Sequence, residues 1–85
     1  MTKREVKLCK AILSALHDLD GGQFNEIQIH AEVNLITGET VGFAELKAAL
    51  AICDTRQWVT RLKSKFTGDL FNINDLGESA RLELR

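Results

Sequence analysis

Apolar residues recur at helical intervals through most of the chain, then switch to alternate positions near its end. Leu8, Ile12, Leu16 and Leu19 stand four, four and three apart, with Cys9 and Leu13 widening the stripe. That spacing predicts an amphipathic helix from about Thr2 to Leu19, with Lys3, Lys7 and Lys10 on a different face. The stretch "DLDGG" (18–22) ends it, because paired glycines after acidic residues favour a turn. A second helix is expected from Asn25, which caps; Gln28 completes a capping box and Glu26 suits the positive end of the dipole. Its apolar residues make two rows, Ile27, Ala31 and Leu35 beside Ile29, Val33 and Ile36. So wide a stripe predicts a helix mostly packed against others, until "TGET" (37–40) breaks it.

A third helix is predicted from about Phe43 to Gln57, with Gly42 as N-cap and Glu45 in a box-like contact. Phe43, Leu46, Leu50 and Cys53 form its stripe. The period then becomes two. Val59 to Phe66 and Leu70 to Ile73 flank Thr67-Gly68-Asp69, which is a hairpin signal. A hairpin cannot bury a face by itself, so Trp58, Leu62, Phe71 and Ile73 are expected to pack on the helices. Asn74 caps a short last helix with Leu76, Ala80 and Leu84 in one row; Gly77 weakens its first turn. The order helix, helix, helix, hairpin, helix predicts an α+β fold, mostly α, with a single domain over residues 1–85.

Composition fits an ordinary globular domain: 45% apolar and 27% charged over 85 residues. No run approaches the roughly 18 apolar residues of a membrane helix, and no secretory pattern follows the basic start, so no membrane and a cytoplasmic location are expected. Cys9 and Cys53 lack any C-x-x-C spacing and are expected to be reduced, partly buried thiols. No nucleophile elbow, glycine-rich phosphate loop or paired-ligand metal motif occurs, so neither an enzyme, a cofactor nor a metal is expected.

The segment "FAELKAALAICDTRQWV", followed by the hairpin and "LFNINDLGESARL", resembles the winged helix-turn-helix domain of bacterial transcriptional regulators. In that resemblance Phe71, Asn72, Ile73, Asn74 and Gly77 take the places of an aromatic, a spacer, an aliphatic, a capping threonine and a glycine that close the wing. Asn stands for the threonine and keeps the capping role. The resemblance covers nearly the whole chain. It implies a three-helix core, a hairpin wing over about 58–73 and a helix over about 43–57 lying in the major groove of double-stranded DNA.

Charge divides the chain in a way that bears on that implication. The net charge is −1, yet residues 11–46 contain no Lys or Arg and hold Asp18, Asp20, Glu26, Glu32, Glu39 and Glu45. Phosphate contact needs cations. The candidates are Lys47, Arg56 and Gln57 on the third helix, Arg61, Lys63 and Lys65 on the wing, and Lys3 and Lys7 on the first helix. Arg61, Lys63 and Lys65 alternate, so they are expected to project from one side of a strand. The exposed third helix is poor in base-reading side chains. The leading expectation is a transcription-regulatory DNA-binding module; the alternative is a winged-helix module for protein–protein contact or dimerisation without DNA binding. A homodimer, if formed, is expected through the first and last helices.

Overall fold

The computed structural model describes residues 1–19, 22–66 and 68–84. Thr2 opens the first helix, α1 (Lys3–Asp18), through a full capping box with Glu5: the Glu5 amide donates to Thr2 Oγ1 at 3.1 Å and the Thr2 amide to Glu5 Oε1 at 2.7 Å. The α1 stripe is buried as its spacing predicts, with Leu8, Cys9, Ile12, Leu13 and Leu16 at 0–1% exposure. The helix stops at Asp18, before the glycines; Asp20 and Gly21 of the expected turn lie outside the described residues.

A two-residue strand follows, β1 (Phe24–Asn25). It is too short to carry a periodic signal, and the sequence reading does not contain it. Asn25 doubles as the N-cap of α2 (Glu26–Thr37), and the expected box with Gln28 is present in both directions, at 2.8 and 2.9 Å. Gly38 ends α2 in the left-handed region at φ 70°.

Only one face of α2 is covered. Ile29 and Val33 are fully buried, whereas Ile27 is 71% exposed, Leu35 77% and Ile36 40%. The expectation of a mostly packed helix is thus corrected. One side of α2 lies on α1, α3 (Phe43–Thr55) and the sheet, and among the described residues no further layer stands over the row Ile27, Ala31, Leu35.

Gly42 is the N-cap of α3, but no side chain caps there. Glu45 does not complete a box, because its carboxylate turns to Arg4 on α1. At the other end α3 stops at Thr55, two residues short of the expected Gln57. The Gln57 amide donates to the Asp54 carbonyl at 3.0 Å and the Trp58 amide to the Cys53 carbonyl at 2.9 Å. That is the Schellman pattern, with Gln57 at φ 61° in the position that glycine usually fills.

The hairpin comprises β2 (Val59–Ser64) and β3 (Gly68–Ile73). With β1 they form an antiparallel sheet in the order β1-β3-β2. Ser64 pairs with Gly68, so the connection begins at Lys65, two residues earlier than the expected turn. Gly68, at φ 78°, supplies the left-handed residue such a loop needs; Thr67 lies outside the described residues.

Residues directly opposite in a ladder share a face. Val59 opposes Ile73 and Arg61 opposes Phe71. Val59 and Phe71 are 4% exposed, so this parity faces the core. Leu62 opposes Leu70 on the other face and is 49% exposed. Its expected packing is corrected by parity alone: Val59 takes the place. Trp58, before the strand, is half-buried against the core, and Ile73 packs there too.

Asn74 caps α4 (Asp75–Glu83), which lies against α1. The result is an α+β, mostly helical fold with one apolar core shared by all four helices and the hairpin. Among the described residues no helix is long and apolar enough to cross a membrane.

Candidate interaction surfaces

The candidate surface is built from α3, the start of α2 and the hairpin. Leu46, Ala49, Leu50 and Cys53 turn α3 inward. Ala44, Lys47, Ala48, Ala51 and Thr55 remain exposed. One cation therefore stands among small side chains on the outward face of this helix. Lys47 Nζ lies 3.9 Å from Glu26 Oε2 and 5.9 Å from the centre of the Phe43 ring.

Arg61 shares the core-facing parity of β2, so it leans toward α3 instead of away from it. Its Nε lies 3.7 Å from Asp54 and its Nη1 3.6 Å from Asp69. A shallow cleft of about 170 Å³ between α3 and the hairpin is lined by Glu26, Lys47, Asp54, Arg61 and Asp69 among others. Three carboxylates there face two cations. A phosphate entering this cleft would meet charges already compensated, with one carboxylate in excess.

Lys63 shares the face of Arg61 but sits nearer the tip, opposite Asp69. Lys65 falls in the connection, past the paired strand, so only Arg61 and Lys63 keep the expected alternation. Among the described residues neither Lys63 nor Lys65 has a carboxylate at ion-pair distance. Phe66 beside them is 96% exposed.

Arg56 and Gln57 lie beyond the end of α3. The Arg56 guanidinium stacks 5.6 Å from the centre of the Trp58 ring. The Gln57 carbonyl accepts from Asn74 Nδ2 at 2.8 Å, which ties this turn to the start of α4. Their roles in the structure come from turn geometry, which spacing along a helix does not reveal.

On α1, the cations are divided. Arg4 bridges Glu39, in the α2–α3 connection, and Glu45 on α3, the latter through two hydrogen bonds of 2.9 and 3.0 Å. Lys7 Nζ reaches Glu39 at 3.4 Å. Hydrogen bonds from Arg4 hold the Glu39 and Glu45 carboxyls below the usual carboxylate range; Lys7 adds to the effect on Glu39. The two carboxylates in turn raise the Arg4 guanidinium further, Glu45 most strongly. Lys3 has no ion-pair partner among the described residues. The structure thus brings Lys47 and Arg61 to one cleft, and leaves Lys63 and Lys65 at the tip. It places Lys7 in a clasp that holds the α2–α3 connection to α1.

A second surface was not evident from spacing. Ile27 and Phe43 line one shallow pocket of about 210 Å³, and the Phe43 ring meets His30 edge-on at 5.3 Å. With Ala31 and Leu35 they form an apolar strip along the outside of α2. On α4, Leu76 is 58% exposed and Leu82 70%. Among the described residues no group of three or more His, Cys, Asp or Glu is placed to hold a metal ion. Comparison with known proteins yields no match: no family model fits the chain, and neither a curated protein nor a solved structure is significantly similar to it.

Proposed function

We propose that this chain is a winged helix-turn-helix domain that serves protein–protein contact through the outer face of α2. Support for the winged helix comes from the order of elements: a three-helix core, then a hairpin packed on it through Val59, Phe71 and Ile73. Asn74 and Gly77 at the start of α4 complete the pattern. The proposed module binds and does not catalyse.

The observation that carries the choice of partner is the strip itself. Ile27 and Leu35 stand 71% and 77% exposed on a helix whose other side buries Ile29 and Val33 completely. Large exposed apolar side chains grouped on one helix mark interaction surfaces more often than single scattered ones. Residues 11–46 hold no Lys or Arg, so the charges that α2 brings to the strip, Glu26 and Glu32, are acidic, with Lys47 of α3 offsetting only Glu26. The fitting partner is a protein surface or helix with an apolar ridge flanked by cations.

DNA contact is the second function, supported by Lys63 and Lys65, whose ammonium groups no described carboxylate neutralises. Two free cations would give weak, strongly salt-dependent binding. NMR titration separates the two functions. One probe is an amphipathic helical peptide of Leu and Lys; the other is a generic DNA duplex at low salt. The peptide is expected to shift resonances of Ile27, Ala31, Leu35 and Phe43, and Ile27→Glu with Leu35→Glu to abolish those shifts. Shifts confined to the hairpin and α3 on adding duplex, with none from the peptide, would transfer the function to DNA. No response to either probe would remove both.

A further inference from the structure

We propose that Cys9 and Cys53 are an intramolecular redox pair, which a thiol oxidant such as a peroxide joins into a disulfide tying α1 to α3. This inference is independent of the partner proposed above. Both residues are 0% exposed and belong to the same core. Cys9 Sγ lies 3.6 Å from the carbonyl oxygen of Ala49. Ala49 is one helical turn before Cys53. Side chains on a helix lean toward its N-terminus, so the Cys53 sulfur is directed back over the turn that Cys9 touches. A sulfur of α1 seated on the turn of α3 that ends at Cys53 is the placement from which a disulfide between packed helices can close.

The surroundings of the two sulfurs also differ. Interaction with Cys53, with help from the Arg56 charge, lowers the Cys9 thiol, whereas interaction with Cys9 and burial raise that of Cys53. Cys9 is therefore the sulfur that ionises first and attacks. The Cys9 thiolate displaces hydroxide from hydrogen peroxide and becomes a sulfenic acid. The Cys53 sulfur then attacks Cys9, forming the S–S bond and releasing the sulfenic oxygen as water. In sum two thiols and one peroxide give one disulfide and two waters. Burial sets the rate, because peroxide reaches the pair only when α1 and α3 part locally. A cross-link between positions 9 and 53 closes a long loop and restricts the unfolded chain.

The test uses the full chain and hydrogen peroxide, followed by alkylation in denaturant, intact mass and a non-reducing peptide map. The expected product is a monomer that has lost the mass of two hydrogen atoms and both alkylatable thiols, with the Cys9 and Cys53 peptides linked. Its Tm should rise by on the order of 10 °C and return on reduction. Cys9→Ser and Cys53→Ser should form no intramolecular link. Two thiols still alkylatable after treatment would overturn the proposal. So would added oxygen mass on either cysteine in place of the link, or a dimer joined between chains.

Discussion

Gly77→Ala tests how tightly the hairpin root is closed against α4. In an isolated helix the change would stabilise by about 1 kcal/mol, since Ala is the better helix former. Here a Cβ at position 77 would stand 2.1 Å from the Trp58 carbonyl oxygen, 2.7 Å from Ile73 Cγ1 and 3.1 Å from the Trp58 carbonyl carbon. Carbon contacts become comfortable only near about 3.5 Å, so the first of these must open by more than an ångström. The obstacle is backbone, and it is held: the Asn74 amide donates to that same Trp58 oxygen at 3.3 Å, and Asn74 Nδ2 to the Gln57 carbonyl at 2.8 Å. Moving α4 away would also stretch the cap from the Gly77 amide to Asn74 Oδ1, now 2.9 Å.

Overpacking costs about 1–3 kcal/mol and a lost cap about 1 more. Less the propensity gain of about 1 kcal/mol, destabilisation by about 1–3 kcal/mol is expected. A chain of this length has only about 4–13 kcal/mol in total. Urea unfolding followed by the fluorescence of Trp58, the one tryptophan, reads the midpoint beside the perturbed contact. Gly38→Ala is the control: φ is 70° but the added Cβ meets nothing within 4 Å, so only the conformational cost of about 1 kcal/mol applies. A Gly77→Ala midpoint equal to wild type, or above it, would refute the close-approach explanation.

Gln57→Gly should stabilise by about 0.5–1 kcal/mol, because it places glycine at the left-handed residue of the Schellman turn; a lower urea midpoint would contradict that. On α2, Ile29→Ala should cost about 2–5 kcal/mol and Leu35→Ala less than about 0.5 kcal/mol, measured by the same unfolding curves. Equal costs would mean that the exposed and buried faces have been exchanged. Acid should loosen the α1 clasp. Glu39 and Glu45 titrate lower in the folded chain than in the unfolded one, so their contribution is present above the ordinary carboxylate range and is lost as pH falls through the lower folded values. The urea midpoint should therefore fall between about pH 5 and pH 3, and Arg4→Met should flatten that fall. An unchanged acid limb in Arg4→Met would show the clasp to be without effect.

Local interactions were readable because both partners lie within one turn. The box of Asn25 with Gln28 and the cap by Asn74 are three residues long. The α1 stripe was readable because it has a single wide apolar face, so its burial has one solution. Gly77 reads in sequence as a flaw in a helix; its cause, the approach of Trp58 from 19 positions earlier, is not local. The cations were legible as charges but not as partners. Arg4 finds Glu39 and Glu45 across 35 and 41 positions, and Arg61 finds Asp54 only because β2 folds back beside α3.

By itself, then, the sequence determined the periods, the caps at Asn25 and Asn74 and the α+β, mostly helical order, since each arises from short-range sterics and hydrogen bonding. Tertiary structure alone decided which of two equally apolar rows of α2 meets the core, and which parity of β2 does. A period states which residues share a face and leaves open which face is covered. The same decision left Ile27 and Leu35 in solvent, leaned Arg61 toward Asp54 on α3, and set Cys9 against the turn of α3 that ends at Cys53.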